Sequence, residues 1–152
     1  MSAVGIGYDS HRFEEGRRLV LGGVEIEHDR GLAGHSDADV VTHAVIDALL
    51  GAAGLGDIGT LFPDDDERWR DADSLDLLRV VIGQIAGRVA NIDATVICEE
   101  PRLAPHRARI ERTLADVASA RVSVKATGNE GMGWVGRGEG IACIAVALLE
   151  DG

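Results

Sequence analysis

Apolar and polar positions alternate with two different periods along the chain, and these periods predict strands and helices in turn. Val4, Ile6 and Tyr8 alternate with glycines, a period of two that indicates a strand with the polar residues 9–11 at its end. Gly22-Gly23 lies between two short apolar runs and predicts a hairpin, because glycine accepts positive φ at both turn positions. The predicted strands lie at 4–8, 19–21, 24–26, 92–98, 122–126 and 141–149.

Three segments carry apolar residues at helical spacing. Ser36 is a candidate N-cap with Asp39 three residues later, a variant of the capping box, and Gly54 ends the segment that follows. Ser74 is the candidate cap of the second helix, and Pro105 opens the third. The predicted helices run from Ser36 to about Ala53, from Ser74 to about Gly87, and from Pro105 to about Ala118.

Strands and helices interleave without internal repeats, which predicts an α+β fold with a two-layer mixed sheet packed against helices. At 152 residues we expect a single domain, 1–152. The acid-rich segment 56–71 contains Gly and Pro and is predicted to be a surface loop, which at that length is typically functional or mobile.

The formal charge of −11 argues against nucleic-acid or anionic-membrane partners, since both require a basic surface. No apolar run approaches the ~20 residues of a membrane span and no signal peptide is evident, so we expect a cytoplasmic protein. Cys98 and Cys143 lack CxxC spacing and are predicted to be buried, reduced thiols.

Asp9-x-His11 and His43 form the first candidate metal site. Residues two apart on a strand share a face, and a helical histidine would complete a set of ligands that suits catalytic zinc. The alternative is a strand-end aspartate and a packed helical histidine. Asp39 and Asp47 share the helix face of His43 and could orient its free ring nitrogen. The alternatives are a solvated acidic stripe and, for Asp39, a partner of the dipole at the helix N-terminus.

Two further segments suit a phosphorylated ligand. His35-Ser36 precedes the first helix, whose free N–H groups favour an anion, although Ser36 also suits a simple cap. In the segment 56–66, the amides at 57–59 and the carboxylates at 64–66 suit hydroxyl groups or a hydrated cation, and a solvated acidic turn is the alternative.

The segment 125–140, KATGNEGMGWVGRGEG, has six glycines in sixteen residues, which lets backbone approach a ligand. Arg137 is available as a forked phosphate donor and Glu130 as an oxygen ligand of a metal. The segment matches neither the Walker A pattern nor the dinucleotide-binding fingerprint, and the chain lacks local signatures of nucleophilic catalysis.

Taken together, these segments resemble one family along nearly the whole chain. The matching phrases are GYDSHRF, LGGVEI, GLAGHSDADVVTHAVIDALLGAAGLGDIGTLFPDDD, EEPRLAPH, VSVKAT and GRGEGIACIAVALL. Their order and wording are similar to the 2-C-methyl-D-erythritol 2,4-cyclodiphosphate synthases of the non-mevalonate isoprenoid pathway.

The resemblance implies a homotrimer with active sites between subunits, in which a nucleotide diphosphate substrate cyclises with release of CMP. It implies one Zn²⁺ per subunit on Asp9, His11 and His43, and Mg²⁺ or Mn²⁺ on Glu130 and the substrate diphosphate. His35 and Gly128 match positions close to the reacting phosphates. The positions that match substrate-binding residues are Ser10, Ser36, Asp57, Ile58, Gly59, Phe62, Pro63, Asp64, Asp65, Asp66, Cys98, Glu99, Glu100, Pro101, Arg102, Leu103, Ala104, Ala126, Thr127, Gly128, Asn129, Trp134 and Arg137.

Two departures from the family pattern bear on activity. At Gly128 the family commonly has a threonine that contacts the β-phosphate, so here the backbone N–H or Asn129 would have to substitute. We expect Gly128 at positive φ, offering its own N–H. In the cytidine segment, Cys98, Glu99 and Glu100 replace small and amide residues, and Arg102 replaces a lysine. A metal-holding trimer without catalysis and a metal-dependent phosphohydrolase are the alternative functions.

Overall fold

The computed structural model describes residues 1–151, which form a mixed set of strands and helices. The strands are β1 (Ser2–Glu15), β2 (Leu19–Leu21), β3 (Val24–Ile26), β4 (Arg30–Leu32), β5 (Arg88–Ile97), β6 (Arg121–Thr127) and β7 (Gly140–Glu150). The helices are α1 (Val40–Ala53), α2 (Ile58–Leu61), α3 (Ser74–Gln84), α4 (Arg107–Ala118) and α5 (Gly133–Gly136), with 3-10 turns at Glu67–Trp69 and Ala104–His106.

Five strands form one sheet in the order β4-β1-β7-β5-β6, and helices pack against it. Within residues 1–151 only β5 and β6 pair in parallel, while β1 pairs with both β4 and β7 in the antiparallel sense. The α+β class and the mixed sheet are therefore as predicted. Strands β2 and β3 form a separate hairpin whose turn glycines, Gly22 and Gly23, have φ of 59° and 76°. This hairpin confirms the prediction from the two glycines.

Strand β1 extends beyond the end predicted for it. Asp9 and His11 are predicted at the end of the strand, but both lie well within it, paired with Cys143 and Ile141 of β7. The ladder continues because backbone pairing does not depend on side-chain polarity. Polar residues here mark the part of the strand that faces a cavity, not the end of the strand.

Both predicted serine caps are wrong. Helix α1 begins at Val40 with Asp39 as its N-cap, and the Asp39 carboxylate accepts a hydrogen bond from the N–H of Thr42. Helix α3 is capped by Asp73, one residue before Ser74. The hydroxyls of Ser36 and Ser74 contact His43 instead. The predicted end of α1 is confirmed, since Gly54 is left-handed with φ 71°.

The acid-rich segment is more structured than predicted. The segment 56–71 was expected to be an irregular loop, yet it contains α2 and the 3-10 turn Glu67–Trp69. The Asp57 carboxylate caps α2 by accepting from Thr60, and Asp66 caps the 3-10 turn by accepting from Arg68. Part of the acidic run therefore serves as helix caps. Both cysteine thiols are unpaired and buried, as predicted. None of the helices in the described residues has the length and apolar character needed to span a bilayer.

Helix α1 lies unusually close to β1. A Cβ atom added to Gly5 would lie 1.9 Å from the carbonyl oxygen of Ala48, and one added to Gly7 would lie 2.0 Å from that of Ala44. Both obstacles are backbone atoms, which cannot turn aside as a side chain can. The two glycines are therefore required by this contact.

We expect Gly7→Ala to destabilise the fold by about 1–3 kcal/mol or more, because the added methyl group forces α1 and β1 apart. Gly83→Ala in α3 is the control, since a Cβ there meets no atom within 4 Å. This control should be neutral or stabilising by up to about 1 kcal/mol, as alanine favours helix. Urea unfolding at one fixed protein concentration measures both. Equal stability of the two variants would contradict the argument.

Candidate metal centre and adjoining cavity

Three side chains from β1 and α1 converge on one point. The Oδ2 atom of Asp9 lies 2.8 Å from Nε2 of His11 and 3.2 Å from Nδ1 of His43. One ligand atom from each residue lies within 4.8 Å of the others. Asp9 and His11 share a face of β1 because they are two residues apart, and His43 reaches them from the first turn of α1. The sequence-predicted metal ligands are therefore brought together.

In each histidine, the ring nitrogen that points away from Asp9 makes a hydrogen bond that fixes the position of the ring proton. The other nitrogen, which points toward Asp9, is then an acceptor. Nδ1 of His11 lies 2.8 Å from the carbonyl oxygen of Ala33, which can only accept, so the proton of the neutral ring is on Nδ1. Nε2 of His43 lies 2.8 Å from the hydroxyl of Ser74. Because that hydroxyl donates to Asp37, it accepts from His43. Two nitrogen lone pairs and a carboxylate oxygen then face one another, an arrangement that requires a proton or a metal cation between them.

The charges at the cluster favour cation binding. Burial opposes ionisation of Asp9, but hydrogen bonds and charge interactions with His11 and His43 lower its pKa to about 2. Burial also disfavours the charged form of His43, yet the Asp9 carboxylate, helped by the charges of Asp39 and Asp37, raises its pKa above the ordinary value. Both pKa directions favour a positive charge at the cluster. A divalent cation would supply that charge and would compete with a proton for the His43 nitrogen.

A hydrogen-bonded chain holds His43 from behind. The Ser74 hydroxyl accepts from His43 and donates to Oδ1 of Asp37, whose Oδ2 accepts from the backbone N–H of Ser74 at 2.9 Å. The hydroxyl of Ser36 lies 3.2 Å from the same ring nitrogen. Metal-bound histidines commonly have such a partner, which fixes the ring orientation and raises the basicity of the ligand nitrogen.

Asp39 and Asp47 do not orient the free nitrogen of His43, so that prediction is wrong. Asp39 instead lies at the N-terminus of α1, as the alternative interpretation had it. Asp39 is fully buried and accepts four hydrogen bonds, from the N–H groups of Gly22 and Gly23 and from the N–H and hydroxyl of Thr42. Asp47 accepts from the N–H of Ile58 at 2.7 Å. The helical spacing placed both on the correct helix, but it could not show which neighbouring segment each carboxylate would meet.

A cavity of about 380 Å³ opens directly beside the cluster. His35 lines it and its Nε2 donates to the carbonyl oxygen of Asp66 at 3.3 Å. Ser36, which also lines the cavity, is buried beneath the N-terminus of α1. The cavity lining, apart from the three cluster residues, consists of Gly34, His35, Ser36, Ile58, Gly59, Phe62, Asp64, Trp69 and Leu77.

Six of the predicted substrate-binding or catalytic positions are thus gathered at this cavity: His35, Ser36, Ile58, Gly59, Phe62 and Asp64. Four others belong to the same segment but do not line it, namely Asp57, Pro63, Asp65 and Asp66. Asp57 and Asp66 act as the caps described above.

A second cavity, of about 710 Å³, is lined in part by Ser10, Trp134 and Arg137. His11 lines both cavities. Nε of Arg137 donates to the Glu139 carboxylate at 2.5 Å, so its guanidinium is already partly paired within the chain. Ser10 follows Asp9 on β1 and so points to the opposite face of the strand from the cluster.

The remaining predicted positions lie where the parallel strands β5 and β6 end. Cys98–Ala104 follow β5, and residues 126–130 end and follow β6. None of these residues lines the cavity beside the metal cluster. The expectation of positive φ at Gly128 is wrong, because among residues 1–151 the positive φ values in this turn occur at Glu130 (55°) and Gly131 (74°).

Five residues of the site were not identified from the sequence, namely Gly34, Asp37, Trp69, Ser74 and Leu77. Asp37 and Ser74 hold His43, and Trp69 packs edge-on against Phe62 with ring centroids 4.8 Å apart in the cavity wall. Asp37 and Ser74 are 37 residues apart, and neither belongs to a spacing pattern that would signal a ligand. Trp69 could have been identified from the sequence, because an aromatic residue within an acidic surface segment is unusual.

The fold and the cluster define an α+β protein with a candidate three-residue metal site beside a cavity. A model of the YgbB family matches residues 2–150. The 2-C-methyl-D-erythritol 2,4-cyclodiphosphate synthase of Syntrophomonas wolfei is 60% identical, over 97% of this chain and 98% of that protein. The chain belongs to the YgbB family, the family of these cyclodiphosphate synthases.

Solved structures agree with this assignment. The bifunctional IspDF of Campylobacter jejuni superposes with a TM-score of 0.95 at 39% identity; the match covers the whole of this chain and 43% of that one. The CDP complex of IspF from Plasmodium falciparum superposes with a TM-score of 0.85 at 32% identity, over 99% of this chain and 97% of that one. Resemblance and comparison thus give the same family.

We expect Ser74→Ala to weaken divalent-metal binding about 10- to 100-fold, because the His43 ring loses the acceptor that fixes it. Ser123→Ala is the control, since that hydroxyl also donates to an aspartate, Asp93, but far from the cluster. Zinc titration against a chelator measures both variants. An unchanged zinc affinity in Ser74→Ala would show that the ring needs no such support.

Proposed function

We propose that the chain converts 4-diphosphocytidyl-2-C-methyl-D-erythritol 2-phosphate to 2-C-methyl-D-erythritol 2,4-cyclodiphosphate with release of CMP. It would thus act as a phosphorus-oxygen lyase of the non-mevalonate isoprenoid pathway in the cytoplasm. The observation that carries the proposal is the convergence of Asp9, His11 and His43 beside a cavity. Membership of the synthase family and the CDP complex of a relative support the substrate class.

Two metal ions belong to this proposal. One carboxylate oxygen and two imidazole nitrogens suit Zn²⁺, with one ion per subunit and a fourth position left for substrate. Glu130 is the proposed ligand for Mg²⁺ or Mn²⁺ together with the substrate diphosphate, as a hard oxygen donor. When bound, these cations neutralise charge that develops on the phosphates.

The protein side chains then bind and orient the substrate. The 2-phosphate of the substrate is itself the nucleophile, so its oxygen attacks the β-phosphorus and CMP leaves without a covalent enzyme intermediate. The cavity beside the cluster would hold the methylerythritol phosphate, with the His35 ring as a hydrogen-bond donor. Segments 98–104 and 126–129 would hold the cytidine, and the N–H of Gly128 would donate to the β-phosphate. Such positioning supplies most of the catalysis in reactions of this kind.

A homotrimer with shared active sites is part of the same proposal. Val4, Ile6 and Tyr8 of β1 are 69%, 70% and 54% exposed, beside the exposed Ile144 and Val146 of β7. A contiguous group of exposed apolar side chains on one sheet face supports a subunit interface there. The proposed cytidine segments do not line the metal cavity of the same chain. A second copy would bring a complete set of residues to one substrate.

Phosphorus NMR of the product tests the proposed reaction. We expect cyclic diphosphate and CMP from the native chain with zinc and magnesium, and neither from His43→Ala, because two remaining ligands do not hold zinc. His28→Gln, a histidine outside the cluster, should retain the product. Inorganic phosphate would instead indicate a phosphohydrolase, and an unchanged substrate would indicate a binding protein without catalysis. Stoichiometric zinc in folded His43→Ala would contradict the assignment of the ligands.

Light scattering at micromolar concentration tests the assembly. We expect the mass of three 16.0 kDa chains for the native protein and a single-chain mass for Ile6→Asp, because a carboxylate on the apolar face is costly to bury. Val80→Asp is the control, as Val80 is equally apolar and 41% exposed but lies on α3. A native chain that remains monomeric would rule out both the trimer and the shared sites.

A further inference from the structure

The carboxylate of Glu99 is bonded to the turn that carries Glu130. Its Oε1 accepts from the backbone N–H of Asn129 at 2.8 Å and from that of Gly131 at 3.3 Å. These two N–H groups flank Glu130, which has the unfavourable φ of 55°. Glu99 therefore holds both sides of the one residue in the turn whose backbone conformation is least favourable.

The same carboxylate occupies the space beside Gly128. A Cβ atom added to Gly128 would lie 3.1 Å from Oε2 of Glu99 and 3.5 Å from its Cδ. The φ of Gly128 is outside the left-handed region, so its backbone conformation does not require glycine. Oε2 is the end of a side chain, but Oε1 of the same group is fixed by two amides. The lack of a side chain at Gly128 thus leaves room for the carboxylate.

From these contacts we infer that Glu99 is a positioning residue for Glu130, and that Gly128 and Glu99 act as a pair. The carboxylate holds the turn 128–131 in the shape that presents Glu130 to a cation, and Gly128 admits the carboxylate. The role of Glu130 as a ligand of the second ion rests on the proposed function. The hydrogen bonds between Glu99 and the turn are observed independently of that proposed function.

Hydrogen exchange in the metal-free full chain tests that hold. We expect Glu99→Ala to raise the exchange rates of the Asn129 and Gly131 amides about tenfold or more, because both lose their acceptor. Glu99→Gln keeps an acceptor oxygen and should remain closer to the native rates. Glu111→Ala is the matched control, since Glu111 also accepts a backbone N–H, that of Val124, but in another part of the chain. Native rates in Glu99→Ala would overturn the inference.

The pairing with Gly128 is tested by adding a single methyl group. Gly128→Ala should raise exchange at the same two amides by displacing the carboxylate, and it should have no further effect in the Glu99→Ala background. Native exchange rates in Gly128→Ala would show that the added methyl group does not displace the Glu99 carboxylate. Additive effects of the two substitutions would show that the residues act independently. Either result would overturn the pairing.

Manganese binding connects the turn to the site. Titration of Mn²⁺ in the presence of CDP, followed by electron paramagnetic resonance, should show about tenfold weaker binding in Glu99→Ala with unchanged zinc content and thermal unfolding. Native Mn²⁺ affinity in Glu99→Ala would overturn the positioning role. Glu130→Ala separates the two claims, because native Mn²⁺ affinity in that variant refutes the proposed ligand, while the exchange rates still decide whether Glu99 holds the turn.

Discussion

The close contact of α1 with β1 is the constraint on which the candidate metal centre depends. A side chain at Gly7 would lie 2.0 Å from the carbonyl oxygen of Ala44, the residue next to His43. Asp9 follows Gly7 by two residues and so shares its face of the strand. The missing side chain lets the helix approach until His43 Nδ1 lies 3.2 Å from Asp9. Two acceptors at that separation are stable only with a proton or cation between them, so the backbone packing itself creates the need for a positive charge.

Three aspartates near or on α1 then attach the surrounding elements to it. Asp37 binds the start of α3 through Ser74, Asp39 binds the β2–β3 turn, and Asp47 binds the start of α2. Burial and the nearby Asp37 charge raise the pKa of Asp39, but its four hydrogen-bond donors favour the ionised form. Two of these attached elements, α2 and α3, supply part of the cavity wall through Ile58, Gly59 and Leu77. The outer shape of the site therefore follows from carboxylate–amide hydrogen bonds, not from apolar packing alone.

The sequence predicted those features that arise from local spacing. The period of two at Val4–Tyr8 predicted β1 and the paired glycines predicted the hairpin, and the structure confirms both. Asp-x-His with a helical histidine predicted three residues that the structure brings together as a candidate metal site. Predictions failed where a side chain had several possible partners. Ser36 and Ser74 each suited a helix cap, and only the folded chain shows that both hydroxyls face His43. Hydrogen-bond partners 31 residues apart, such as His43 and Ser74, produce no periodic pattern in the sequence.

Side chains along β1 point alternately to the two faces of the sheet, and this alternation fixes the register of the strand. Gly5, Gly7, Asp9 and His11 face α1 and the cavity, whereas Val4, Ile6 and Tyr8 form the opposite, exposed face. A shift of one residue against β7 would exchange the two faces. The large side chains would then meet α1 where only glycine fits, and the carboxylate and imidazole would leave the cluster. The glycines thus exclude the wrong register by steric clash, and the same clash keeps the apolar residues on the surface proposed for assembly. The candidate metal site and the exposed apolar face are therefore coupled through one strand, because neither face can change its position without the other.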